Sequence, residues 1–414
     1  MKLFKLRILF ATIVLTMATN LLYAQTVYNV SMGNSPQYPN EVYFSLTNGE
    51  VKTVARNTWD IAFYSAAFSA GIITNDGANV GLWAYPNAGI EGWETFDTTN
   101  IQSWTKLYNN NSDWEEGSFN IFSKGHPDYG WGIYSMTSHN VVGDSLYLIK
   151  PVDGIYRKLH IVKKISTENK FIIRYANVDG SNEHTDTLDV TPYTDRLFMA
   201  FSFSSGIVDR EPPKTDWDLL FTRYYDSVMN TPYPVNGVLI NNNLSVARVH
   251  PAAPDFTDWS GLDFVNKINI IGHDWKSYNL SASQWEMTDS LAYFIRKENG
   301  PVVKLVFEAF SGSASGTTTF NLTTVSSTGL NENTLTGITL FPNPVVGSLN
   351  IRCEQPLNNA RITLTDLSGR IVKQLFNVNA PEVSIDTDGI APGTYILHIA
   401  DSRQQGNFKL IVSQ

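Results

Sequence analysis

Apolar and polar residues alternate along most of this chain in short runs, separated by Gly, Asn, Asp and Pro. A period of two puts successive side chains on opposite faces of a strand. The runs Leu146–Lys150, Tyr156–Val162 and Phe171–Ala176 read as strands. Val152-Asp153-Gly154 sits between the first two as a hairpin turn. Long 3.6-period stretches rich in Ala, Glu, Lys and Leu are absent, so the pattern predicts an all-β fold.

One stretch of this pattern occurs twice. Thr58-Trp59-Asp60-Ile61-Ala62-Phe63 returns as Asp216-Trp217-Asp218-Leu219-Leu220-Phe221. Each copy follows a Phe-Ser-x-x-x-Gly phrase, at Phe44 to Gly49 and at Phe201 to Gly206. Further matches keep the same order. Gly71 to Asn75 is answered by Gly237 to Asn241, and Gly130 to Tyr134 by Asp274 to Tyr278. Tyr147 to Lys150 is answered by Tyr293 to Arg296, and the turn Asp153-Gly154 by Asn299-Gly300. Ordered self-similarity of this kind predicts two related antiparallel β modules, residues 25–192 and 193–323. In each, the Trp is expected to plug the core of its module. The Asp is expected to tie a turn or a neighbouring strand by hydrogen bonds.

Residues 324–337 are mostly Ser, Thr, Asn and Gly, a linker composition. Beyond it, 338–414 holds about seven short alternating runs in under 80 residues, which predicts a small C-terminal β-sandwich.

Composition sharpens this outline. The length of 414 residues suits two to three domains. A net charge of −9 excludes a nucleic-acid binder, whose phosphates need a basic surface. The single cysteine, Cys353, leaves no intrachain disulfide, so the domains are held by core burial. The N-terminus reads as a signal peptide over residues 1–24. Lys2, Lys5 and Arg7 precede the apolar run 8–18, and cleavage follows Ala24. That run is short for a bilayer span, and no later run is long enough for a transmembrane helix.

Candidate chemistry is sparse. There is no Gly-x-Ser-x-Gly elbow, no His-Glu-x-x-His, no phosphate loop and no dinucleotide glycine pattern, so a non-enzymatic protein is expected. The aromatics Trp83, Tyr85, Trp93, Trp104, Tyr108 and Trp114 fit two roles: packing in a core, or stacking on a flat ligand such as a porphyrin or a sugar ring. The run Asn109 to Asp113 with Glu115 and Glu116 is either a solvated turn or an oxygen-rich cation loop.

Two resemblances add to these readings. Phe341-Pro342-Asn343-Pro344, then Leu349 to Ile351, Asp366 to Gly369 and Arg370, Pro392-Gly393-Thr394-Tyr395, and Lys409 resemble the type IX secretion sorting domain of Bacteroidota. The resemblance implies export through the periplasm and across the outer membrane by the type IX secretion machinery. The implied product is a secreted or cell-surface protein.

The doubled Phe-Ser and Trp-Asp phrases, the Gly-Trp stretch and the Tyr293 to Gly300 hairpin resemble the HmuY family of secreted haem-binding proteins. That resemblance implies haem as a ligand, held by His or Met. Carried over residue by residue, it points to Met136, with His139 and His126 as the nearest partners; the equivalent place in the second module is Asn279. Met136 as core filler and the histidines as loop residues is the competing reading. The expected function is a secreted, non-enzymatic binding protein for haem. The alternative is a structural or adhesive surface protein that binds a glycan or a host protein.

Overall fold

The computed structural model describes residues 25–413 apart from 35–37, 299, 326–334, 336, 367–369 and 402–404. The segment 1–24, most of the linker, Asn299 of the second turn and Gly369 of the sorting motif therefore lie outside the described residues. Among the described residues, regular structure consists of antiparallel strands and short 3-10 turns, so the chain is all-β as expected.

Residues 25–325 form two lobes of two sheets each. In the first lobe one sheet runs, edge to edge, His184–Asp189, Lys170–Asn177, Arg157–Ile165, Leu146–Lys150, Gly81–Ala84 and Lys106–Leu107. It shares a core with the four-stranded sheet Gly206–Val208, Phe198–Ser202, Ile61–Tyr64 and Ile72–Thr74, through Ile61, Phe63, Leu82, Ile149, Ile161 and Met199. The second lobe repeats the plan. Its outer sheet runs Gln25–Ser31, Thr317–Thr324, Val302–Phe310, Ala292–Lys297 and Leu244–Val249. Its inner sheet runs Thr231–Ile240, Leu219–Val228, Asn40–Ser45 and Gly49–Ala55.

The lobes do not coincide with the segments 25–192 and 193–323. The three strands that open the first sequence repeat, from Gln25 to Ala55, lie in the second lobe. Their counterparts, His184–Asp189 at the end of the first segment and Phe198–Ser202 and Gly206–Val208 at the start of the second, lie in the first lobe. The Phe-Ser strand of each copy thus pairs with the Trp-Asp strand of the other. Phe201 lies opposite Ile61, and Phe44 opposite Leu219. Residues 25–55 close a lobe whose remaining strands come from the other end of the pair, in register from Gln25 opposite Thr323 to Ser31 opposite Thr317. The alternation in sequence specifies which face of a strand is buried, not which strand lies beside it, so this exchange is silent in the pattern.

The two inner sheets pack back to back, giving four layers. Alternate residues of one strand therefore serve two cores. Ile61 and Phe63 point into the first lobe, while Ala62 and Tyr64 join Tyr43, Ile73, Leu197, Phe198 and Leu220 at the joint. Trp59 and Trp217 both belong to this shared cluster, at 3% and 1% exposure. Each does not plug its own module; together they cement the joint, because the strand they precede is buried on both faces.

The joint also buries charge. Arg210 Nε donates to Glu41 Oε2 at 2.8 Å, Thr222 Oγ1 donates to Glu41 Oε1 at 2.7 Å, and the guanidinium lies 4.5 Å from the Trp59 ring centre. Burial pushes the Glu41 carboxyl up, but the Arg210 charge and hydrogen bond bring it net below its ordinary value.

The C-terminal unit is a sandwich, as predicted. A three-stranded sheet (Ile338–Phe341, Ser348–Cys353, Glu382–Asp386) faces a four-stranded one (Ile371–Val378, Ala360–Asp366, Gly393–Ala400, Gln405–Val412) across Leu349, Ile351, Ile362, Leu364, Leu397 and Leu410.

Candidate binding cleft at the joint of the lobes

A cleft of about 580 Å³ opens where loops of the first lobe meet the second. Its walls come from four stretches: Tyr64 with Phe68 to Gly71, Ser112 to Glu116, Asn120 with Ser123 to Tyr129, and Asn242, Asn266 and Ile268 of the second lobe.

The loops are fixed by side chains that were unremarkable in sequence. Asn120 ties two of them: Oδ1 accepts from Ile72 N at 3.0 Å, while Nδ2 donates to Ala70 O at 3.1 Å and to Tyr129 O at 3.0 Å. Trp131, fully buried, donates from Nε1 to Ala70 O at 2.8 Å. Gly71 passes so close to the next loop that a Cβ there would sit 2.5 Å from Glu115 O, which only glycine permits. Lys164, buried beneath, donates to Ala66 O at 3.0 Å and Asn169 Oδ1 at 3.1 Å, and Asn169 donates to Ser65 O at 2.9 Å. Burial drops the Lys164 ammonium to about 7. This support presents Phe68 at the rim, 75% exposed.

The second lobe is joined through the same loops. Trp114 Nε1 donates to Ile240 O at 3.0 Å, Ile268 N donates to Ser112 O at 3.2 Å, and Asn242 Nδ2 donates to Tyr64 Oη at 3.3 Å. The asparagine run braces this joint. Asn109 Oδ1 accepts from Thr74 N and Ser118 N, and Asn111 Nδ2 donates to Asp226 Oδ1 at 2.5 Å. Asp113, Glu115 and Glu116 are left exposed along one wall. The cleft is thus polar and carboxylate-bearing, with aromatic rings at its edges.

The structure distributes the sequence candidates unevenly. His126 lines the cleft, its ring centre 5.0 Å from that of Tyr134. His139 Nδ1 lies 2.7 Å from Tyr134 Oη, so the two histidines flank one tyrosine. Met136 is 71% exposed on the loop between, so it is not core filler. Asn279, its counterpart, holds Glu286 at 2.7 Å in the hairpin Lys276–Asn279 and Gln284–Met287. His273 lies 3.3 Å from the Asp226 carboxylate. Trp93 and Trp104 are buried with Phe96 in a small satellite core, whereas Trp83, Tyr85 and Tyr108 are half-buried. Phe68, Asn120 and Asn242 carried no sequence signal; four separate segments had to meet first.

In the sorting domain, Asn343, between Pro342 and Pro344, clamps the last strand. Its Nδ2 donates to Lys409 O and its Oδ1 accepts from Ile411 N, each at 2.9 Å. Gly393 opens the strand that carries Tyr395, whose Oη donates to Ala391 O at 2.6 Å. Arg370 Nε bonds Asp366 Oδ2 at 3.0 Å.

Residues 339–413 match the family model of the secretion system C-terminal sorting domain. This domain marks the chain for type IX secretion, through the periplasm to the cell surface or beyond it. Among solved structures, one similar chain is PorZ, described as an essential bacterial surface component of the type-IX secretion system of human oral-microbiomic Porphyromonas gingivalis. It is 12% identical, with a TM-score of 0.18, and the match covers 68% of this chain and 42% of PorZ. The chain thus spans less than half of that protein's length. No curated protein matches the sequence. Among the described residues no helix is long and apolar enough to cross a membrane.

Proposed function

We propose that the chain is a secreted, non-enzymatic binding protein that takes a glycan in the cleft between its lobes. The observation that carries this reading is Phe68. A phenylalanine held three-quarters in water on a braced loop has an unused stacking face, and it stands over a cleft of carboxylates, amides and hydroxyls. Sugars offer what such a site needs: an apolar ring face for the aromatic, and hydroxyls for Asp113, Glu115, Glu116 and Asn242. Screening the purified protein on a glycan array tests the reading. Binding that is lost in Phe68→Ala supports it; an array on which the native protein binds nothing overturns it.

Haem is the second reading. It rests on the HmuY-type phrases and on His126 and His139 at Tyr134, since imidazole is a good iron ligand. It has less behind it than the glycan reading. The cleft is lined mainly by polar groups, and its carboxylates repel the haem propionates. Titration with haemin decides it: a Soret shift abolished by His126→Ala supports haem, and no shift removes it.

A further inference from the structure

Beyond the residues that line the cleft, aromatic rings and lysines form a line on the first lobe. Trp83 and Tyr156 have ring centres 6.0 Å apart, and Tyr108 and Tyr225 of the second lobe 4.6 Å apart. Lys106 lies between the two pairs, its Nζ 5.8 Å from the Trp83 ring, 5.0 Å from Tyr108 and 5.5 Å from Tyr225. Lys150 lies 5.5 Å from Tyr156. Beside Tyr156, a hollow of about 200 Å³ is lined by Thr98, Ile101 and Val178.

The strand register builds this line. Lys106 pairs with Trp83 and Leu107 with Leu82, so both leucines enter the core and the ring and the ammonium point outward. Trp83 is folded flat against its own strand. A Cβ on Gly81 would lie 2.4 Å from its Cη2, so the missing side chain at 81 seats the indole. Lys106 and Lys150 are close enough to repel one another. Among the described residues neither forms an ion pair.

These two neighbouring lysines put positive charge on a protein of net charge −9; the buried Asp76 carboxylate acts on Lys106 but forms no ion pair with it. Cation–π contact satisfies their charge only in part, which leaves an anion-binding place among stacking faces. We propose that this line is a second binding site, for an acidic polysaccharide. Its pyranose rings stack on Trp83, Tyr156, Tyr108 and Tyr225, and its carboxylate or sulfate groups pair with Lys106 and Lys150. A nucleic acid fits less well, because two lysines provide little phosphate neutralisation against the repulsion of the whole protein. The site shares no residue with the cleft, so the two proposals fail independently.

Affinity electrophoresis of the full chain through native gels containing alginate, dextran sulfate or neutral dextran tests the proposal, with oligo(dT) titrated by fluorescence anisotropy. The expected result is retardation by alginate or by dextran sulfate and none by dextran. Which of the two retards more distinguishes carboxylate from sulfate. Lys106→Gln with Lys150→Gln should weaken retardation roughly tenfold. Gly81→Ala, which displaces the Trp83 ring, should weaken it. Melting temperatures of the variants separate lost binding from lost folding, and Tyr156→Ala, at a partly exposed ring, serves if Gly81→Ala unfolds. The proposal is overturned if neither acidic polysaccharide retards the native protein, if the folded double-lysine variant binds as well as it does, or if oligo(dT) binds more tightly than both.

Discussion

Asp218 Oδ2 accepts the backbone N–H of Leu46 at 2.9 Å, across 172 residues, and Asp60 Oδ2 accepts that of Phe203 at 2.8 Å. The two bonds are copies of one another with the partners exchanged. Around them the match continues. Asp60 N donates to Phe201 O and Asp218 N to Phe44 O. Asn75 Nδ2 caps Arg56 O and Trp59 O, as Asn241 Nδ2 caps Lys214 O and Trp217 O. Each carboxylate also reaches the matching hairpin of its lobe, Asp60 at Val152 N and Asp218 at Lys297 Nζ. The aspartates are therefore the pins of the strand exchange. Asp60→Ala leaves two enclosed N–H groups without acceptors and should cost about 3 kcal/mol. Urea denaturation reads this as a lower midpoint at unchanged slope. A midpoint equal to the native one would remove the pin role.

The exchange predicts an asymmetric response to truncation. Removing residues 25–34 strips the strand Gln25–Ser31 from Thr317–Thr324 and opens an edge in the second lobe only. Hydrogen exchange should then accelerate over Val302–Phe310 and Thr317–Thr324 while Arg157–Ile165 stays protected. Equal loss in both lobes would show that they unfold as one unit.

Stability should depend on pH with opposite signs on either side of neutrality. Burial raises the Glu211 carboxyl from 4.5 to about 7. Between those values the folded state keeps a proton that the unfolded chain has released, so this group's stabilisation is lost as pH rises through the window. Burial lowers Lys276 from 10.5 to about 7. There the unfolded chain holds the proton that the folded state lacks, so its penalty fades as pH rises above 7. Glu211→Gln should flatten the acid limb of a denaturation–pH profile, and Lys276→Met the alkaline limb. A profile unchanged in both variants would contradict the assignment.

Deleting residues 338–414 should leave the protein in the periplasm, because the sorting domain folds around its own core and the remaining chain lacks the export signal. Cell fractionation with immunoblotting checks this. Undiminished surface display of the truncated chain would contradict it.

The sequence was most legible where chemistry is local. The hairpin turn at Asp153-Gly154, the sandwich of the last 75 residues and the equivalence of Trp59-Asp60 with Trp217-Asp218 all follow from neighbours in the chain, and the structure has each. Pairing partners were not legible. Phe44 is as apolar beside Leu219 as it would be beside Ile61, and alternation does not choose between them. The cleft was legible at His126, at Trp114 and at the acidic run with Asp113, Glu115 and Glu116. Phe68 has no motif, and its significance comes from Lys164 and Asn169, a hundred residues away, which hold its loop in water.

Occupation of the joint of the two lobes by a glycan is read by hydrogen–deuterium exchange with and without the glycan selected on the array. Slowed exchange is predicted together at Phe68 to Gly71, Asp113 to Glu116, Ser123 to Tyr129 and around Asn242, on both lobes at once, and should vanish in Phe68→Ala. Protection confined to other surfaces, or unchanged in that variant, would contradict it.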